Sequence, residues 1–449
     1  MNDFFPTILV TYLLPFRQAF SQPGWQYFQG FVWAMLLSTG RKCVSQICRT
    51  CFFVDRSLSS WERFLAEQQW DMTQVMLALI RLLHQELGDR LRYAGRYVIG
   101  IDPTFVAKVK GRMLGVQKWR EHSQNPDRGV QVVGHHWMLG GVLTRLGEHW
   151  RCFPIWSRLV SGKKHLSHFV APDGEEKPSD DDTQEAHPMS IWETALAMIL
   201  QASSMLGTTG LCVVMDAYFA KACMFNPLLE KGITLLTRLR HDAVGWDDPG
   251  EYSGHGRPAQ FGKKWKLAQL WKTEPHKMVT AHLYGKVVEI PVVIRDVWLR
   301  DVSKKIRVVV VEGVNRPVLL ACTDMSLSAA QILELYAARF SLELAIRDLK
   351  GFVGLGDYQS TTTLAFCRFV LLSCVALCLG RLLLHGNHVD AWLENISGAP
   401  VQETGFSFAR LRRGLRCFAI KQLIVSKFPS QADCEKLQDE WKPFFQIAA

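Results

Sequence analysis

The feature that most constrains the fold is a pair of short apolar runs, at residues 97–101 and 210–215. Each is five or six residues long and includes β-branched side chains, without the polar alternation of a half-exposed strand. Such continuous runs are typical of strands buried on both faces, in a parallel or mixed sheet that helices cover. The chain is therefore predicted to be an α/β protein, and 449 residues that are 48% hydrophobic are ample for its core.

An aspartate follows each run directly, Asp102 after the first and Asp216 after the second. Pro103 is expected to end the first strand, because proline cannot donate to the hydrogen-bond ladder. Ligands of such folds gather at strand ends, which makes both aspartates candidate site residues. Two structural alternatives stay open. Asp102 can be a turn residue, and Asp216 can be the N-cap of a helix over residues 217–229.

A third acidic candidate lies on a predicted helix over residues 336–350, a segment without Gly or Pro. Tyr336, Arg339, Glu343 and Lys350 stand at offsets of 0, 3, 7 and 14. At about 100° per residue they fall within about 60° of one another, on one stripe of the helix. Because the helix has a separate apolar face, this polar stripe is either solvated or directed into a site.

Three carboxylates without a nearby Cys or His ligand set indicate a hard divalent cation, Mg²⁺ or Mn²⁺, bound by oxygen. Two such ions about 4 Å apart can support an in-line displacement at phosphorus, so the substrate would be a phosphodiester. The charge agrees, since 52 Lys and Arg against 42 Asp and Glu give a net charge of +10. A basic balance favours nucleic acid as the partner.

The spacing Tyr-x2-Arg-x3-Glu-x6-Lys resembles the signature of bacterial insertion-sequence transposases of the DDE type, in the Tyr-Arg-Glu-Lys class. The blocks at 214–219, 235–240 and 318–324 and the basic loop at 256–264 resemble other parts of that class. The resemblance runs from about residue 50 to about residue 385. It implies a ribonuclease-H-like catalytic core in which Asp102, Asp216 and Glu343 form the catalytic and metal-binding triad.

The resemblance further implies a cut-and-paste transposase that cleaves the ends of its element and joins the 3′ hydroxyls to target DNA. Two Mg²⁺ or Mn²⁺ ions, double-stranded DNA of the ends and target, and a homodimer in the synaptic complex belong to that expectation, as does a place in the bacterial cytoplasm at the nucleoid. Within it, the DNA-binding residues are those of the signature helix and of two basic segments: Tyr336, Arg339, Lys350, Arg238, Arg240, Lys263 and Lys264.

Residues 244–313 alternate in the manner of β-strands, at 278–284, 287–294, 296–299 and 307–311, with a hairpin turn predicted at Gly285 and Lys286. The resemblance implies a β-rich insertion here, in which a tryptophan stacks on a DNA base. Trp298 and Trp271 are the candidates for this role, and ordinary core packing is the alternative.

The predicted domain organisation has five parts. They are a helical, DNA-binding N-terminal domain (1–92), the first part of the catalytic core (93–243), the β-rich insertion (244–313), the second part of the core with the Glu343 helix (314–385), and a helical C-terminal region (386–449). A helical dimerisation bundle is an open alternative for residues 1–92. The segment 172–188 is predicted to be a solvated loop.

Residues 364–384 are apolar enough to suggest a membrane span, but Arg368 and Arg381 lie inside the segment. Arginine within a bilayer span is costly, so a helix packed on the catalytic sheet is the preferred interpretation and no membrane partner is expected. Two other functions remain as alternatives to transposition: a metal-dependent nuclease that cuts without joining, and a domesticated DNA-binding protein without catalysis.

Overall fold

The structure is a computed structural model. It describes residues 5–427, apart from 52–53, 109–112, 114, 122–129, 161–188, 208–209, 252–256, 387, 390–391 and 393–406. The polar loop predicted at 172–188 therefore lies outside the described residues. The described helices are α1 (Thr7–Leu13), α2 (Gln22–Leu37), α3 (Val44–Thr50), α4 (Leu58–Ala66), α5 (Met72–Leu87), α6 (Ile191–Leu206), α7 (Ala222–Glu230), α8 (Leu270–Thr273), α9 (Ala329–Ala338), α10 (Phe340–Gly351), α11 (Thr363–His385) and α12 (Phe408–Lys427).

The described strands are β1 (Arg92–Tyr93), β2 (Arg96–Ala107), β3 (Gln117–Glu121), β4 (Val130–Leu146), β5 (His149–Leu159), β6 (Leu211–Met215), β7 (Thr234–Leu239), β8 (Val244–Trp246), β9 (Lys264–Lys266), β10 (Lys277–Leu283), β11 (Lys286–Val297), β12 (Ile306–Val311) and β13 (Val318–Cys322). Short 3-10 helices span Leu14–Ala19, Gly88–Leu91, Ala217–Phe219 and Leu267–Gln269.

One 11-stranded sheet organises the molecule, in the order β10-β11-β12-β13-β7-β6-β2-β4-β3, with β5 pairing β4 and β1 pairing β2. The pairs β2–β6 and β6–β7 are parallel, and the other pairs of this sheet are antiparallel. The predicted α/β class with a mixed sheet is confirmed. The central order β5-β4-β2-β6-β7 is consistent with the ribonuclease-H-like core that the resemblance implies.

The two apolar runs lie in β2 and β6, in the middle of this sheet, where side chains on both faces are buried. All five residues of β6 are buried, as are residues 97–101 of β2. Gly100 faces α10 closely, since a Cβ atom there would lie 3.2 Å from Leu342 Cδ2. An added methyl group would require the ends of the Leu342 and Leu143 side chains to move by a few tenths of an ångström.

Strands β10–β12, in the predicted β-rich segment, continue the main sheet outward from β13. Of the segment predicted as a separate strand at 296–299, residues 296 and 297 are instead the end of β11, which runs without a break from Lys286 to Val297, and Trp298 makes an isolated bridge to Trp246. The hairpin turn is formed by Tyr284 and Gly285, one residue earlier than predicted, and both have positive φ. Because strands β8 and β9 form a small sheet of their own, the segment 244–313 is only partly continuous with the main sheet.

Helix α11 is long and apolar enough to cross a membrane, but 89% of its most apolar window is buried inside the protein. Arg368 explains why it belongs there. Its guanidinium donates to the carbonyl oxygens of Leu65, Gln68 and Trp70, at 3.1, 2.8 and 2.6 Å. It also lies 4.3 Å from the centroid of the Trp70 ring. The arginine that counts against a membrane span thus joins α11 to the N-terminal helices.

Candidate active site

Asp102 lies within β2 rather than at its end, so the prediction that Pro103 ends the strand is wrong. The strand continues to Ala107, paired with β4 throughout. The parallel pairing with β6, in contrast, ends at Gly100 and Val214. The edge of β2 that β6 leaves open tolerates a proline, because no ladder bond is required there.

Asp216 follows β6 directly, as predicted. Its carboxylate accepts a hydrogen bond from the Tyr218 backbone N–H at 2.9 Å, and its carbonyl oxygen accepts one from Thr237 at 2.7 Å. The side chain is therefore an N-cap, but of the 3-10 helix Ala217–Phe219. The helix expected over 217–229 is divided, and α7 begins only at Ala222. Capping leaves other carboxylate lone pairs available for a ligand.

Glu343 lies in the first turn of α10, and its side chain is 41% exposed. The single helix predicted over 336–350 is broken at Arg339, where hydrogen bonds of the i→i−3 type replace the α-helical pattern. Tyr336 thus belongs to α9, and Glu343 and Lys350 to α10. The break was hidden because Ala338 and Arg339 are both good helix formers.

The charges of Asp216, Glu343 and Arg339 all influence the pKa of Asp102. Burial raises the pKa of Asp102 to about 7. The carboxylates of Asp216 and Glu343 add to this effect, and the Arg339 guanidinium opposes it. Burial also raises the pKa of Asp216, against its hydrogen bond from Tyr218 and the charge of Arg339, and with a smaller contribution from Glu343. The arrangement brings negative charge into a partly buried site.

These oxygen ligands fit Mg²⁺ or Mn²⁺ by their chemistry, and a bound cation would relieve the penalty that burial places on Asp102. Within the described ranges, however, no group of three or more His, Cys, Asp or Glu side chains is already spaced to hold a metal ion. The donor set fits the metal, and the three carboxylates would have to move closer together to share it.

The raised pKa of Asp102 predicts how stability depends on pH without metal. The folded-state pKa lies above the unfolded value, so the folded protein binds more protons between about pH 4 and pH 7 and loses stability as the pH rises through that range. Asp102→Asn removes the buried charge. It should therefore stabilise the metal-free protein at about pH 8, with a gain that shrinks toward about pH 4. Urea unfolding in EDTA at several pH values measures the difference, and a constant gain would contradict the assignment.

The other predicted residues of the helix border this site to different degrees. The guanidinium of Arg339 lies 5.8 Å from the Tyr336 ring centroid. Burial raises the pKa of Tyr336, and the charges of Arg339 and Arg238 oppose this shift. Because Arg238 lies near the end of β7, this strand also borders the site. Arg240 is exposed and lies 3.7 Å from Asp242. Lys350 is exposed near the far end of α10, two turns from Glu343.

Lys263, Lys264 and Trp298 belong to a second cluster, around β8 and β9. The Lys263 ammonium lies 3.9 Å from the Trp265 ring centroid, and the Trp298 indole donates to Asp248 at 2.9 Å. Trp298 is partly buried and bridges to β8. The other tryptophan candidate, Trp271, stacks on His276 at 4.0 Å. These contacts join the cluster to the surroundings of β8 and β9 rather than to the three acids.

Sequence reasoning missed an aromatic surface beside Asp216. Tyr218 is 50% exposed and stacks on Trp192 with ring centroids 5.2 Å apart. The Lys221 ammonium lies 3.7 Å from the Trp192 centroid. A cation beside exposed rings can contact both phosphates and bases. The only sequence signal was the Asp-Ala-Tyr-Phe block itself, because Trp192 lies far away along the chain.

The family model described as DDE superfamily endonuclease matches residues 15–290. No curated protein matches the chain significantly. The matched range contains Asp102 and Asp216 and ends before Glu343, so the assignment of Glu343 depends on the Tyr-Arg-Glu-Lys spacing and on the effect of its charge on Asp102 and Asp216.

Proposed function

Because the chain belongs to the DDE superfamily endonuclease family, we propose that it is a cut-and-paste DNA transposase. It would cleave the ends of an insertion element and join the freed 3′ hydroxyls to target DNA. The observation that carries the proposal is that Asp102 and Asp216 lie on or directly after the neighbouring strands β2 and β6, where the charge of Glu343 on α10 helps to raise the pKa of both. When neighbouring acids make the ionisation of one another less favourable, a bound cation stabilises their charged forms. Such a group of acids therefore suits a cation-binding site.

In this proposal Asp102, Asp216 and Glu343 hold two Mg²⁺ or Mn²⁺ ions. When bound, such ions activate the attacking oxygen and stabilise the leaving oxygen of an in-line displacement at phosphorus. The β2 and β6 strands fix the two aspartates on neighbouring backbones, and the hydrogen bond from the Tyr218 N–H orients Asp216. Glu343 comes from the more exposed side, on α10, where DNA can reach it.

Arg339 and Lys350 are proposed to bind phosphates beside the scissile bond, and Tyr336 to orient a phosphate or a neighbouring carboxylate through its hydroxyl. Arg238, Arg240, Lys263 and Lys264 would contact the DNA backbone farther away, with Trp298 as a candidate for stacking on a base. The partly buried, hydrogen-bonded indole of Trp298 would have to be released for that role. A homodimer at the paired ends, in the bacterial cytoplasm, completes the proposal.

Arg339→Ala and Lys350→Ala should weaken binding to different DNA sequences about equally, because phosphate contacts carry no sequence information. Each should also lower the slope of log affinity against log salt by about 0.9, the release of one phosphate's counterions. Fluorescence anisotropy with several duplexes at several salt concentrations measures both effects. A loss limited to one base position, with an unchanged slope, would indicate direct base readout instead.

The reaction products distinguish a transposase from a nuclease that cuts DNA without joining it. The DNA that flanks the gene is first read for inverted repeats, and duplexes carrying these repeats are incubated with the protein, Mg²⁺ and a supercoiled target plasmid. Transposition predicts cleavage at the repeat ends and plasmids covalently joined to the repeat DNA. Cleaved ends without joined plasmid, including when the ends are supplied already cut, would leave only the nuclease.

A further inference from the structure

Arg339 forms an ion pair with Glu343, one of the three acids. Its Nη2 lies 2.7 Å from Glu343 Oε1, within hydrogen-bond distance. The charge of Arg339 also lowers the pKa of Asp102 and of Asp216, against the effect of burial. A single guanidinium thus balances part of the charge of all three carboxylates, which is the electrostatic task that a divalent ion would perform.

The same contact occupies an oxygen that a metal ion would require. An oxygen of Glu343 that is paired with the Arg339 guanidinium is a weaker metal ligand until that ion pair is broken or shared. Two cations drawn to one carboxylate also repel each other. Binding of metal at Glu343 is therefore opposed by Arg339 in its present position.

The Arg339 side chain also has a second N–H group that could donate a hydrogen bond to a ligand. Its Nε is buried and has no hydrogen-bond partner in the part of the chain that the structure describes. A guanidinium presents several N–H donors in a planar fork, which matches the oxygens of a phosphate. A phosphodiester placed beside Arg339 would satisfy the Nε donor and compete with Glu343 for the guanidinium.

We propose that Arg339 is an internal counter-ion that occupies Glu343 in the free protein and transfers to a DNA phosphate when metal binds. The inference rests on the proposed function, since it takes Glu343 as a metal ligand. Metal binding frees Arg339 for DNA, and DNA binding frees Glu343 for metal, so each should tighten the other. Arg339 acts here as a positioning residue that offsets part of the charge of the acids before the ions arrive.

The test is Mn²⁺ binding to the full chain without DNA, followed by electron paramagnetic resonance of the free ion. Arg339→Gln should bind Mn²⁺ about tenfold more tightly than the wild type, within the usual range of coupling between sites. The matched control is Arg347→Gln, which removes the same charge four residues after Glu343. Because the Arg347 side chain is 74% exposed and lies 3.5 Å from Asp348, its loss should change the affinity by less than about twofold. Equal or weaker binding by Arg339→Gln would overturn the inference.

Two further measurements separate the possible failures. Glu343→Gln should remove the tight Mn²⁺ site, and if the wild type shows no site that depends on Glu343, the proposed metal site fails together with this inference. Should Arg339→Gln not fold, crystals of the wild type with and without Mn²⁺ decide. The Arg339–Glu343 ion pair should be absent with metal bound, and its retention beside bound metal would overturn the counter-ion role.

Discussion

Asp216→Asn should reduce Mg²⁺-dependent DNA cleavage by at least about a thousandfold, since metal ligation provides several kcal/mol of transition-state stabilisation. Asp102→Asn and Glu343→Gln should do the same. Each substitution keeps the size of the side chain and removes the charge that a metal ion needs. DNA binding should stay within about tenfold of the wild type, because the backbone contact proposed for Lys350 does not require the acids and only that of Arg339 is coupled to metal binding.

Cleavage of labelled duplex DNA and anisotropy under the same conditions measure the two effects together. Asp89→Asn is the matched control, because it makes the same chemical change at an exposed residue of a 3-10 helix and should leave cleavage unchanged. Substantial cleavage by any one of the three variants would remove that residue from the triad. Loss of both cleavage and DNA binding would indicate damage to the fold instead.

The second large effect is expected for stability. Arg368→Met should lower the free energy of unfolding by about 4 kcal/mol, because three carbonyl oxygens lose a charged donor and each buried unsatisfied group costs about 1–3 kcal/mol. Those carbonyls belong to Leu65, Gln68 and Trp70, in and after α4. The substitution therefore weakens the contact between the N-terminal helices and α11.

Urea unfolding measures this change, with Arg347→Met as the control on an exposed part of α10. The control should change the free energy of unfolding by less than about 0.5 kcal/mol. Equal, small effects of the two substitutions would mean that Arg368 does not hold the N-terminal helices in solution. A stable N-terminal unit in the Arg368→Met protein would further show that these helices fold without α11.

The sequence located the central strands well because burial on both faces leaves a local trace. The runs at 97–101 and 210–215 are apolar at consecutive positions, and both lie in buried strands of the parallel part of the sheet. The end of β2 could not be predicted in the same way. Whether Pro103 stops a strand depends on which neighbouring strand pairs beside it, and that partner comes from a distant part of the chain.

The helix periodicity placed Arg339 and Glu343 one turn apart, and the structure pairs them. Periodicity could not show the break at Arg339, because a local change in backbone hydrogen bonding leaves no trace in the pattern of apolar and polar residues. It also could not show that strands β10–β12 continue the sheet from β13, because strand partners are chosen through non-local contacts. The aromatic surface of Trp192 and Tyr218 was missed for the same reason.

Asp102, Asp216 and Glu343 are proposed together to hold the metal ions of a DNA-cleaving site. Anomalous diffraction at the manganese edge, from crystals grown with Mn²⁺ and a short duplex, tests it most directly. We expect two peaks about 4 Å apart, each within bonding distance of carboxylate oxygens of these three residues. Manganese bound elsewhere, with Glu343 directed to bulk solvent and away from Asp102, would contradict it.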